Sequence, residues 1–157
     1  MSTRLLVLST SFILLCFGII HSQNLSDTEI KKIKTEVYKI FYNSIETGEQ
    51  LDIKGIENNI EDSLKTGFID NGTYFKTFNE LMVIFRQNIK GLEFQKFDCT
   101  NKKVTILSED KVLLTTSGNY ETKVLDGRVL KGGFAWTFIY SKINGDWKVI
   151  HSHMSNR

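Results

Sequence analysis

The stretch that decides the fold is "GGFAWTFIYSKINGDWKVIHSHMS", from Gly132 to Ser155. Alternate residues of a strand share a face. Phe134, Trp136, Phe138 and Tyr140 therefore form one aromatic row. "ING" (Ile143–Gly145) is a tight-turn signal. Beyond it Trp147, Val149, His151, His153 and Ser155 line up opposite Lys148, Ile150, Ser152 and Met154. The reading is a long antiparallel hairpin with a bulky apolar face and two imidazoles near its end.

Working backwards, two more strand-like runs precede the hairpin. The four together are Leu92–Ile106, which must bend or bulge, Lys111–Val124, Arg128–Ile143 and Asp146–Ser155, separated by "SED", "LDG" and "ING". Strands this long on turns this short predict an antiparallel meander, and a chain without proline puts no obstacle in it. Upstream the period changes to helical. Ser26 with Glu29 is a capping box, followed by Ile30, Ile33, Val37, Ile40, Phe41 and Ile45 on one face and a stop at Gly48. Ile53, Ile56, Ile60 and Leu64 predict a second helix, across an interior Gly55. Thr77 with Glu80 opens a third, with Phe78, Leu81, Met82, Phe85 and Ile89 on its apolar face and Gly91 at its end. Between the second and third, Asp70-Asn71-Gly72 flanked by aromatics predicts a short strand or hairpin. Three helices and then a sheet give an α+β domain with the helices on one face of a curved antiparallel sheet.

Composition narrows the function classes. A net charge of +2 with interspersed signs, and no basic stripe threaded with aromatics, argues against nucleic-acid binding. Arg4 followed by the uncharged "LLVLSTSFILLCFGII" (Leu5–Ile20) and a polar exit predicts a signal peptide over residues 1–22, cut at Ser22–Gln23. At 16 residues the stretch is short of the ~20 that span a bilayer, so no stable membrane anchor is expected after cleavage. The mature domain, 23–157, is then secreted or periplasmic. Of the two cysteines it keeps only Cys99, which rules out an internal disulfide and reads as a strand residue. With His21 removed, His151 and His153 are its whole imidazole inventory. "NLS" at Asn24 and "NGT" at Asn71 fit the glycosylation sequon, although Asn-Gly also serves as a turn.

The order of elements, and above all the ending from Gly132 to Ser155, resembles the nuclear transport factor 2-like superfamily. That is the cone-shaped, cystatin-like fold of SnoaL-like polyketide cyclases, ketosteroid isomerase and the calcium/calmodulin-dependent kinase association domain. The resemblance implies a pocket between the sheet and the helices, and a homodimer formed through the outer sheet face. It also implies where chemistry would sit. The helix tyrosine of the isomerases is replaced by Phe41, with Tyr42 one residue off. Asp70 lies close to their base aspartate, and no sheet acid completes the set. An Asp/His arrangement of the cyclase kind could be imitated by Asp70 and His151.

Three functions follow. The leading one is a small-molecule-binding domain that takes a small, partly apolar molecule on Trp136, Phe138, Tyr140, Trp147, His151 and His153. The second is an acid–base enzyme (isomerase, cyclase or lyase) with Asp70 and His151 as catalytic candidates. The third is a ligand-free association module whose aromatic rows are simply core. No cofactor is called for. His-x-His supplies two ligands where zinc needs three or four, so no metal site is expected.

Overall fold

The computed structural model describes residues 25–157. The expected signal peptide, its cleavage site, Cys16, His21 and Asn24 lie outside them. Helix α1 spans Asp27–Glu49. Its first turn is closed by the reciprocal bonds that Ser26 and Glu29 foretell: the Glu29 N–H donates to Ser26 Oγ at 3.3 Å, and the Ser26 N–H donates to Glu29 Oε2 at 2.8 Å. Ile33, Val37 and Phe41, four residues apart, are buried on one face. They pack on Val104, Val112, Leu114, Tyr140, Trp147 and Val149 of the sheet. Each such side chain contributes about 1.5–3 kcal/mol by leaving water. Helix α2 is short, Ile53–Asn58. The expected continuation to Leu64 does not form: Ile60 instead bridges Val149 of the sheet, and Leu64 is exposed. Helix α3, Phe78–Ile89, is capped by Thr77 Oγ1, which accepts from the Glu80 N–H, while the Glu80 side chain reaches one residue further back to the Lys76 N–H.

The strands are β1 (Phe68–Asp70), β2 (Thr73–Phe75), β3 (Leu92–Ser108), β4 (Lys111–Val124), β5 (Val129–Ile143) and β6 (Asp146–Asn156). They form one sheet in the order β2-β1-β6-β5-β4-β3. The four long strands make the antiparallel meander. The sheet as a whole is mixed, because β1 joins β6 in parallel through Ile69–His153 and Asp70–Met154. Asn71-Gly72 and Asn144-Gly145 both take positive φ at both positions, the twist of type I′ hairpins.

Of the register shifts in the sheet, two bear on the site. In β3 the register slips between Asp98 and Asn101, bending the strand over α1. Gly118 of β4 lies under that bend, where a Cβ would stand 1.8 Å from the Asp98 carbonyl oxygen. In β6 the pairing passes from Ile139–His151 to Tyr140–Val149, leaving Ile150 as an extra residue. A β-bulge of this kind reverses which side chains face the core.

Candidate functional site

Between the helices and the concave face of the sheet lies a cavity of about 550 Å³, within the range of small-molecule sites. Strand β5 supplies its wall. Phe134 and Trp136 stack with centroids 4.0 Å apart, Phe97 meets Trp136 edge-on at 5.0 Å, and Phe138 contacts Phe41 of α1 at 6.3 Å. Leu81, Phe85 and Ile89 of α3 close the opposite side.

Of the sequence-predicted ligand residues, Trp136, Phe138 and Tyr140 line this space. Trp147 does not. It is buried in the core, where its Nε1–H donates to Glu36 Oε2 at 2.9 Å and ties α1 to the sheet. That bond, with Lys142 nearby, holds the Glu36 carboxyl below its usual pKa.

The histidines require a correction. The alternation that puts them in line with Trp147 and Val149 is interrupted at Ile150, so beyond the bulge the residues on the cavity side are Ser152, Met154 and Asn156. His151 and His153 stand on the convex face. His151 Nδ1–H donates to the Gly67 carbonyl at 2.8 Å, and His153 is exposed, with only a long contact to Ser155 Oγ. The adjacent apolar pair Val149–Ile150, both buried, is the one sequence signal of this switch.

Asp70 does line the cavity. It shares its face with its parallel neighbour Met154, opposite to the Ile69–His153 pair. Asp70 and His151 are thus on different sides of the sheet, and no dyad forms. Burial raises the Asp70 carboxyl above its usual pKa, with one long bond of 3.5 Å from Asn71 Nδ2 opposing it. Around it runs a polar chain that the sequence reading missed. Trp136 Nε1–H donates to Asn156 Oδ1 at 3.1 Å, and the Asn156 N–H donates to Asn71 Oδ1 at 2.7 Å. Among the described residues that line the cavity, Asp70 is the one acid, and none is Lys, Arg or His. Phe41 lines the cavity, and Tyr42 lies outside it, half-exposed beneath the Lys102 ammonium.

Cys99 is half-buried at the β3 bend and its thiol is pushed up by burial, away from the reactive thiolate. Among the described residues no three His, Cys, Asp or Glu side chains converge as a metal site would need.

Comparison with known proteins agrees with this architecture. The SnoaL-like domain family matches residues 41–156. A nuclear transport factor 2-like superfamily protein from Salmonella enterica superposes with a TM-score of 0.73 at 13% identity, over 81% of this chain and 92% of its own. A hexachlorocyclohexane dehydrochlorinase superposes at 0.71 with 12% identity, over 84% and 90%. A protein with a cystatin-like fold from Caulobacter vibrioides does so at 0.66 with 10% identity, over 79% and 89%. At such identities the likeness is one of fold. No curated protein matches the sequence.

Proposed function

From a chain that belongs to the SnoaL-like domain family, we propose a binding protein that holds a small, partly apolar molecule in its cone. The observation that carries this reading is the cavity of about 550 Å³, walled by Phe97, Trp136 and Phe138 and fringed by Asp70, Asn71 and Asn156. Apolar walls with a few convergent polar groups supply affinity from buried area and orientation from hydrogen bonds. Native mass spectrometry and crystallography of the purified protein test it. The expected result is a co-purifying molecule in contact with Trp136 and Phe138. Its absence, together with a cone closed by collapsed side chains, would favour the association module.

A second reading, acid–base chemistry, is favoured by Asp70. A carboxyl raised by desolvation at the edge of an apolar cavity is a reasonable proton acceptor. It would work without His151. Solvent deuterium exchange into a carbonyl compound bound in the cone, abolished by Asp70→Asn, would support that role, and exchange unaffected by the substitution would refute it.

Two further proposals concern context. The apolar Leu5–Ile20 supports export and action outside the cytoplasm, which the intact mass of secreted material checks. The convex face supports a homodimer: its central cross-strand pairs, Thr115–Thr137, Ser117–Ala135 and Thr137–His153, contain no Lys, Arg, Asp or Glu.

A further inference from the structure

Two buried hydroxyls that line the cavity have no partner among the described residues. Tyr140 is 1% exposed and Ser152 is 4% exposed, and both line the cavity. Among the described residues neither side chain makes a hydrogen bond, whereas three polar side chains nearby are engaged: Ser44 Oγ donates to the Ile40 carbonyl, Gln95 Nε2 to the Gly48 carbonyl and Asn59 Nδ2 to Ser44 Oγ. Among the described residues, the one buried side-chain oxygen that is both sealed off and unbonded is Asp62 Oδ1. The Tyr140 and Ser152 oxygens are therefore not sealed: they open onto the cavity.

Their placement is set by the β6 bulge. Ser152 pairs with Phe138, and Tyr140 pairs with Val149 on the other side of the slip. The two hydroxyls thus come from facing strands, on the same concave side. Without the extra residue Ile150, His151 rather than Ser152 would take that side. A buried hydroxyl left without a partner loses about a hydrogen bond's worth of stability, and such groups in native proteins call for an explanation. Burial raises the Tyr140 phenol above its usual pKa, so it stays a neutral donor at any physiological pH.

We infer that Tyr140 and Ser152 form an acceptor-binding subsite, and that the cavity takes an uncharged ring compound bearing a carbonyl or similar oxygen, which seats between the two hydroxyls. The inference rests on the binding reading above and adds the chemistry of the ligand. Two donors suit one oxygen with two lone pairs. The aromatic wall suits a flat apolar body. An anion is disfavoured, since no cationic side chain lines the space and the Asp70 carboxyl does.

Equilibrium dialysis of the protein against three probes of nearly equal shape tests this: 2-acetylnaphthalene, 2-isopropenylnaphthalene and 2-naphthoate. The ketone is expected to bind about tenfold more tightly than the hydrocarbon, the worth of a hydrogen bond to a neutral acceptor, and the carboxylate weakest of all. Tyr140→Phe and Ser152→Ala should each reduce the ketone's advantage and leave the hydrocarbon's affinity unchanged. Equal binding of ketone and hydrocarbon by the wild-type chain overturns the inference while leaving the cavity reading intact. So does a carboxylate that binds as tightly as the ketone, or a ketone preference that survives in the double variant. Failure of both neutral probes to bind overturns the cavity reading itself, and the subsite with it. The wild-type comparison decides even where a variant does not fold.

Discussion

His151 Nδ1–H donates a 2.8 Å hydrogen bond to the carbonyl of Gly67, a residue 84 positions earlier. Gly67 is buried with a φ of +74°, and a Cβ there would stand 2.5 Å from the Tyr74 ring. The imidazole therefore clips the segment that enters β1, whose third and last residue is Asp70. Beside it, Thr66 Oγ1 donates to the carbonyl of Ile150, the bulge residue. This histidine supports the cavity from behind rather than lining it.

His151→Ala should leave the Gly67 carbonyl buried without a partner and cost about 1–3 kcal/mol. His153→Ala removes an exposed ring and should stay within about 0.5 kcal/mol of wild type. Denaturant unfolding of the two variants measures the difference. Amide exchange across Phe68–Asp70 should quicken in the first variant alone. Equal effects of the two substitutions would show that the clip has no energetic role.

Asp70 gives a pH prediction with a definite sign. Its carboxyl is raised above the ordinary value of 3.8, first by desolvation. Folding then favours the protonated form, so this group's stabilising contribution is complete below pH 3.8 and is lost as pH rises through the folded-state pKa. At neutral pH the ionised, partly desolvated carboxylate opposes folding. Asp70→Asn should therefore be more stable than wild type at pH 7, with the difference shrinking as pH falls toward 3.8. Melting temperatures across that window check it, and a variant less stable at pH 7 would contradict the desolvation argument.

What the sequence made legible follows from locality. Helices α1 and α3 announce themselves through Ser26–Glu29 and Thr77–Glu80, side chains that cap their own first turns. The long strands were bounded to within one or two residues because Asn144-Gly145 and its counterparts set hairpin turns locally. The aromatic row of β5 kept its period and reached the cavity. Two features were not legible because they are non-local. One is the parallel pairing of Ile69 with His153, which makes the sheet mixed. The other is the bulge at Ile150, which reverses the phase of β6 and exchanges the imidazoles for Ser152, Met154 and Asn156. Helix α2 ends short of its helical period because Ile60, which has helical spacing, finds its partner, Val149, on the sheet.

Gly118 tests the bend that gives the cone its curvature. A methyl group there would meet the Asp98 carbonyl oxygen at 1.8 Å, and a backbone atom cannot rotate away. Gly118→Ala should cost about 1–3 kcal/mol or more, as overpacking does. Gly91→Ala is the control: its nearest neighbour is the Asn88 carbonyl at an ordinary 3.5 Å, so the change should be near neutral. Urea midpoints of the two proteins make the comparison. A tolerant Gly118 would mean that the β3 bend relaxes freely and does not set the shape of the cavity.

The proposed homodimer can be separated from ligand binding by the pleat of β5. Thr137 lies between Trp136 and Phe138 in sequence, but on the convex side, paired with Thr115 and His153. A lysine there would place an ammonium group amid pairs that hold no other Lys or Arg and no carboxylate. In the monomer its flexible stem could carry the charge into water. Against a second copy of the same face it would meet its own symmetry mate or lose its hydration, a cost of several kcal/mol. Sedimentation at micromolar concentration should therefore find wild type dimeric and Thr137→Lys monomeric. Dialysis against 2-acetylnaphthalene should give the same affinity for both, because the substituted side chain never reaches the cone. A dimer that survives the substitution would move the interface to another surface. A monomer that also loses the ketone would show that the second copy completes the pocket, since nothing on the convex face of one chain touches the ligand's side of the sheet.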